Sequence, residues 1–198
     1  MKNTKEEMNE NLKLFMVMLG CRPEGRFTEQ HDIFFGIGNS LKSLLADMKN
    51  FWPEAKGKIH IDAWREVTFV DGFQIKIIDK MTDSNSENKR EEQLFFLNLG
   101  GYKPNEFEEY HYKILTVAKK LSEATKTAKA TTFYKHCGFD GATSHIDDKF
   151  GIDVDDFFNV KDILNLDLKQ KYTIHILKKN ADSVEDEMHI GYVPISKL

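Results

Sequence analysis

The sequence predicts an α+β protein in which one β-α-β-β unit occurs twice in tandem and is followed by a C-terminal β-hairpin. Its first sign is a repeated passage: "LFMVMLGCRPEGRFTEQH" starts at Leu14 and returns as "LFFLNLGGYKPNEFEEYH" from Leu94, with seven identities in eighteen positions and no gap. Its second sign is an apolar stripe after each copy, and its third is a set of alternating β-branched segments.

Each copy is predicted to contain a short buried strand, a loop and an amphipathic helix. At the same shift of 80 residues, apolar positions recur at i, i+3, i+7, i+10 and i+14, the spacing of one helix face. This predicts helices over Asp32–Phe51 and Glu109–Ala128. The first helix is expected to stop before Pro53, since proline cannot continue the hydrogen-bond ladder.

The two strands that close each unit follow the helix. In the first copy, "KIHIDAWREVTFV" and "FQIKII" are joined by Asp71-Gly72, a pair favoured in two-residue hairpin turns. In the second copy, Phe150, Ile152 and Val154 alternate with smaller or polar residues in the same way. The segments "YTIHILKK" and "EMHIGYVPI" predict the C-terminal hairpin.

These elements predict a first repeat over residues 12–79, a polar linker over 80–93, and a second repeat with the hairpin over 94–198. One helix covers only one face of a sheet, so the repeats are expected to pack around a pseudo-twofold axis. A groove between the repeats is then the expected place for a ligand.

Composition excludes several classes of function. The net charge is −4 and no basic run is long enough to follow a phosphate backbone, so no nucleic-acid partner is expected. Apolar stretches are far shorter than the ~20 residues of a membrane span, and the N-terminus lacks a secretory apolar block. We therefore expect a cytoplasmic protein without a membrane partner. Cys21 and Cys137 form no C-x-x-C pair, and buried or idle thiols are expected.

The ending shared by the two passages, Glu-x-His, is the sharpest chemical feature. It places Glu29 with His31 and Glu109 with His111 at a predicted loop-to-helix junction. A carboxylate there can orient an imidazole that acts as a ligand or base. The alternative is a helix-start device, in which the acidic group meets exposed backbone N–H groups.

A metal site is the second hypothesis. His60 and Asp62 in "IHID" alternate with isoleucines, so both polar side chains are expected on one face of a strand. If that face meets Glu29 and His31, the four could hold one divalent metal ion such as zinc, manganese or iron. In the second copy, "FYKHCGFDG" does not reproduce the acidic partner, so one site is expected rather than two.

Other motifs are weaker. Arg22 and Arg26 in the first loop could bind an anion. The acidic segment "SHIDDKFGIDVDD" does not follow the EF-hand pattern, although His145 and Asp147 remain possible site residues. Gly20 and its repeat equivalent are expected in a tight turn or at positive φ.

Three segments, "LFMVMLGCRPEGRFTEQHD", "GKIHIDAWREV" and "SHIDDKFGIDVDD", resemble an uncharacterised bacterial family, the domain-of-unknown-function family numbered 1543. The resemblance implies a bacterial protein with two tandem family domains. No activity is established for that family, so the resemblance implies no catalytic residue.

Two functions remain open. The first is a cytoplasmic binding or interaction protein for a small molecule or another protein, because no catalytic motif is complete. The second is a metal-dependent enzyme that uses Glu29, His31, His60 and Asp62. In both cases the site is predicted in the first repeat, with Glu109 and His111 serving as support.

Overall fold

The structure is a computed structural model, and it describes residues 12–82, 91–103, 105–130, 156–179, 184 and 186–198. The chain divides into two compact units. Unit 1 comprises Met1–Ser86 and Leu164–Leu198, and unit 2 comprises Glu87–Ile163. The prediction that residues 164–198 belong with the second repeat differs from this division, because their strands pair with strands of unit 1.

Ten strands are formed by the described residues: β1 Lys13–Cys21, β2 Gln30–Gly38, β3 His60–Val67, β4 Phe69–Val70, β5 Phe73–Asp79, β6 Gln93–Tyr102, β7 Glu109–Ala118, β8 Asp156–Asn159, β9 Tyr172–Lys178 and β10 His189–Pro194. Unit 1 contains a four-stranded sheet of order β10-β3-β1-β2 and a three-stranded sheet of order β4-β5-β9. Unit 2 contains a three-stranded sheet of order β7-β6-β8. All recorded strand pairs are antiparallel.

The helices are short: α1 Leu45–Phe51, α2 Leu121–Ala130, α3 Val160–Ile163 and α4 Leu166–Lys171, with 3-10 turns at Leu41–Leu44, Pro53–Ala55 and Ile195–Lys197. The predicted helices over Asp32–Phe51 and Glu109–Ala128 are therefore wrong in their first halves, which are the strands β2 and β7. β2 is buried at each position from Ile33 to Gly38. A strand buried on both faces loses its period-2 pattern. The apolar residues of β2, taken together with those of the helical segment that follows, therefore matched the spacing of one helix face.

In both units the recurring passage forms an antiparallel hairpin that leads into a helix: β1, β2 and α1 in unit 1, and β6, β7 and α2 in unit 2. The fold is mixed α and β with mostly antiparallel sheets, but the duplicated β-α-β-β unit is not confirmed. The segments predicted to complete the second copy fall largely in 131–155, outside the described residues.

The predicted C-terminal hairpin is wrong. β9 pairs with β5 and β10 pairs with β3, so the two strands extend different sheets of unit 1. The Asp71-Gly72 turn is confirmed, since both residues have positive φ (52° and 78°) between β4 and β5.

The core of unit 1 packs one face of the four-stranded sheet against the first helical segment. Phe15, Val17 and Leu19 of β1 alternate into this core, and Leu44 and Met48 reach it from the helical side. Fully burying side chains of this size stabilises a fold by about 1.5–3 kcal/mol each. This packing fixes β1 as the rigid central strand on which the site is built. No helix in the described ranges is long and apolar enough to span a membrane.

Candidate metal centre

The candidate metal centre lies at the end of β1, where three neighbouring strands meet at a glycine. Gly20 is paired with His31 on β2 and with His60 on β3. Side chains of directly paired residues project from the same face of a sheet. Because glycine has no side chain, the space between the two histidines is left to their imidazoles.

The contacts above Gly20 show how tightly that space is used. A Cβ atom placed on Gly20 would lie 2.4 Å from both Nε2 of His60 and Oδ2 of Asp62, whereas ordinary van der Waals contact begins at 3.4 Å. The expectation of a tight turn or positive φ at Gly20 is wrong, since it lies inside β1 and its φ is not positive. Its role is to permit the close approach of two polar side chains.

Asp62 reaches both imidazoles. The pairing of β3 with β1 skips Asp62, which makes it the extra residue of a β-bulge. Bulges re-aim side chains and are frequent next to functional sites. Its Oδ2 lies 3.4 Å from Nε2 of His31 and 3.2 Å from Nε2 of His60.

Glu29 completes the group from the residue before β2. Its Oε2 lies 3.7 Å from Nε2 of His31, and its Oε1 lies 3.2 Å from Nε2 of His60. Metal-ligating atoms of Glu29, His31 and His60 all lie within 4.8 Å of one another. Two imidazole nitrogens and two carboxylates therefore alternate around one small space, which we call the four-residue cluster (Glu29, His31, His60 and Asp62).

The four-residue cluster has a buried floor and an open rim. His60 is 7% exposed, and the side chain of Asp62 is 21% exposed. The side chains of His31 and Glu29 are 40% and 48% exposed. A ligand can therefore enter from the side of His31 and Glu29.

Two atoms on the buried floor lack hydrogen-bond partners among the described residues. They are Nε2 of His60 and Oδ2 of Asp62, which are 3.2 Å apart but not aligned for a hydrogen bond. A buried polar group left in this state costs about 1–3 kcal/mol. The lone pair of a neutral imidazole nitrogen lies along the direction that its N–H bond would take. A cation among the four donors would satisfy both atoms, so the residues fit a bound metal.

Two further side chains lie next to the cluster. The ring of Tyr192 is 4.4 Å from the ring of His60, centroid to centroid. Cys21 is buried beside Gly20. Burial is the main cause that raises the pKa of its thiol, and the negative charges of Glu29 and Glu54 raise it further. The prediction of a buried thiol is confirmed for Cys21, whereas Cys137 lies outside the described residues.

The arginines of the predicted anion site are elsewhere. Arg22 and Arg26 lie in the exposed loop between β1 and β2, and in the described chain neither bonds to the four-residue cluster. The structure thus brings together the predicted metal ligands and leaves the predicted anion-binding residues on the surface.

Unit 2 repeats part of the arrangement. Gly100 is paired with His111, and Nε2 of His111 lies 4.0 Å from Oε1 of Glu109. Among the described residues, β8 pairs with Phe95–Asn98 and does not reach Gly100. His136, His145 and Asp147 also lie outside the described residues. The role of Glu109 and His111 as structural support, without ligand or metal binding in unit 2, stays a prediction.

Sequence reasoning missed two residues of this site. If residues 30–38 had been predicted as a strand, pairing it with β1 would have placed Gly20 opposite His31. Tyr192 gave no local signal, because its contact with His60 depends on β10 pairing with a strand more than a hundred residues away.

Comparison with known proteins finds one matching family and a solved structure of similar fold. The model of a Domain of Unknown Function family (DUF1543) matches residues 26–77, about a quarter of the chain, and this segment contains all four residues of the cluster. Only one copy is matched, so the prediction of two tandem family domains is supported for the first copy alone. No curated protein is significantly similar to the chain.

Among solved structures, the chain is similar to the crystal structure of protein Il1583 from Idiomarina loihiensis. The two share 22% sequence identity with a TM-score of 0.61, over 93% of this chain and 97% of the other. At this identity the likeness establishes a shared fold.

Proposed function

We propose that this chain is a binding protein for a divalent transition-metal ion, held in unit 1 by Glu29, His31, His60 and Asp62. One observation carries the proposal: Nε2 of His60 and Oδ2 of Asp62 are buried without hydrogen-bond partners among the described residues, and they lie beside the metal-ligating groups of Glu29 and His31. Buried polar atoms in this state are uncommon and call for a partner.

The spacing of the donors supports zinc. Four ligands about 2.0–2.1 Å from a tetrahedral zinc ion lie about 3.3 Å from one another. The four nitrogen–oxygen distances around the cluster are 3.2, 3.2, 3.4 and 3.7 Å. Glu29 contacts His60 through Oε1 and His31 through Oε2, so a tetrahedral ion would be bound by one of these two oxygens.

The chemistry of the donors narrows the class of metal. Calcium and magnesium prefer oxygen ligands, whereas two imidazoles with carboxylates suit zinc, manganese or iron. The two carboxylates balance the double positive charge of the ion. Zinc matches the donor types, and we propose it as the bound ion.

Metal analysis of protein purified without a His tag tests the proposal. We expect one zinc per chain after incubation with zinc and desalting, and a loss of bound metal in His31→Ala and His60→Ala. His189→Ala is the matched control, because His189 stacks on Trp64 instead of joining the four-residue cluster. Sub-stoichiometric metal in the wild-type protein would contradict the proposal.

The open rim favours metal-dependent catalysis as a second candidate function. Glu29 is the most exposed of the four side chains, so water or a substrate could occupy a position beside it on the metal. The cobalt-substituted protein tests this candidate. A visible spectrum that does not respond to azide or acetate would remove the enzyme and leave the binding protein.

The wider setting belongs to the same proposal. We infer a cytoplasmic bacterial protein whose partner is a small molecule or another protein, and not a nucleic acid or a membrane. The net charge of −4 supports the exclusion of nucleic acid. The groove between the repeats stays a prediction and is not needed for the metal site.

A further inference from the structure

We propose that Tyr192 is a positioning residue for the metal: its ring fixes the plane of the His60 imidazole so that Nε2 faces the ion. This inference rests on the proposed metal-binding function. Its starting point is the contact between the two rings, whose centroids are 4.4 Å apart and whose planes meet at 38°.

The local backbone places Tyr192 there by an irregularity. The pairing of β10 with β3 shifts register between Ile190 and Val193, which marks a bulge. Inside it, Gly191 has a φ of +144°, a conformation that residues with side chains rarely adopt. Bulges re-aim side chains next to functional sites. This one leaves Tyr192 67% exposed, with its ring against His60.

The surroundings of His60 explain why such a contact matters. Its Nε2 edge lies above Gly20, which has no side chain to pack against the ring, and Nε2 has no hydrogen-bond partner among the described residues. The aromatic contact restricts rotation of the ring before the metal arrives. Groups that orient a metal-ligating histidine by hydrogen bonding commonly change metal affinity by 10- to 100-fold, and a single aromatic contact is expected to contribute less.

The contact should also strengthen when the metal binds. A divalent ion draws electron density from the imidazole and makes the ring more positive. The face of a tyrosine ring attracts positive charge. By linkage, an interaction that is stronger in the metal-bound protein contributes to metal affinity.

Three variants test the role of the ring. Tyr192→Phe keeps the ring and removes the hydroxyl group, whereas Tyr192→Ala removes both. Ile190→Ala is the matched control, since Ile190 is on the same strand and is 82% exposed. Zinc affinity is measured by competition with a chromophoric chelator, and the melting temperature of each metal-free variant is recorded beside it.

We expect Tyr192→Ala to weaken zinc binding by about 3- to 10-fold, the range for one aromatic contact. Tyr192→Phe and Ile190→Ala should bind like the wild type, and the metal-free melting temperatures should agree. If Tyr192→Ala binds zinc as tightly as Ile190→Ala does, the positioning role is wrong while the metal site stands. Equal weakening in Tyr192→Phe would overturn it too, because the hydroxyl group would then be responsible. A wild-type protein that binds no zinc would overturn both proposals.

Discussion

Replacing Gly20 with alanine is the sharpest test of the metal site, because it adds one methyl group at the centre of the four-residue cluster. The new Cβ would lie 2.4 Å from Nε2 of His60 and from Oδ2 of Asp62, and ordinary contact begins at 3.4 Å. The difference of 1.0 Å must be relieved by moving both side-chain ends away. Metal ligands need to be held within about 0.5 Å of their productive positions.

The expected effects on metal affinity and on folding differ in size. Misplacing two of four ligands should lower zinc affinity at least 100-fold, which corresponds to about 2.7 kcal/mol. The metal-free protein should change in unfolding free energy by no more than about 1 kcal/mol. Alanine in a strand is favoured over glycine by about 0.5–1 kcal/mol, which offsets the movement of two side-chain ends.

Gly36→Ala is a matched control for the added methyl group. Its Cβ would lie 2.7 Å from the ring of Phe34 in the core, on the strand that also carries His31. It should lower the melting temperature and keep stoichiometric zinc. Isothermal titration with zinc and thermal unfolding with and without zinc give both quantities. Tight zinc binding by a folded Gly20→Ala protein would refute the site as described.

Three further predictions concern unit 1, and the first compares it with unit 2. His31→Ala should weaken zinc binding at least tenfold with little change in metal-free stability, since His31 is partly exposed. His111→Ala should leave zinc binding intact. An equal loss of zinc binding in both variants would point to a shared structural role. Zinc should slow amide hydrogen exchange at the start of β2, because the ion would tie this edge strand to β3; unchanged exchange rates would count against that link. Burial, then Glu29 and Glu54, raise the pKa of the Cys21 thiol above its ordinary 9.0, so its contribution to stability is present below pH 9.0 and is lost at higher pH. Between pH 7 and 10, the free energy of unfolding measured with denaturant should therefore fall more for the wild type than for Cys21→Ala. An equal fall in both proteins would show that the thiol has no such effect.

The helix prediction shows where local pattern reached its limit. Leu41, Leu44 and Met48 are indeed buried in the first helical segment, but Phe34 and Ile37, which continued the same stripe, lie in β2. A strand that is buried on both faces offers no alternation to distinguish it from a helix. The aromatic and β-branched residues of β2 favoured a strand and its two glycines disfavoured a helix, but the periodicity outweighed both.

Non-local pairing was the second limit. The alternation of β9 and β10 predicted strands at the correct places, but not their partners, since adjacent strands joined by a short connection usually pair with each other. Here β9 and β10 pair with strands of two different sheets of unit 1. The candidate site had the same limit: alternation placed His60 and Asp62 on one face, whereas the contribution of Tyr192 depended on a distant strand.

The candidate metal centre depends on three local features of the sheet that meet at one place. Neighbouring strands lie about 4.8 Å apart, so side chains on the two strands that flank β1 start about 9.6 Å from each other. Their ligating atoms come within 4.8 Å because Gly20 leaves the space above β1 open. The bulge at Asp62 brings a carboxylate to both imidazoles, and the bulge at Gly191 sets an aromatic ring against His60. The two bulges interrupt regular pairing, and together with Gly20 they converge on one buried nitrogen that has no hydrogen-bond partner among the described residues, which supports the proposed metal ion.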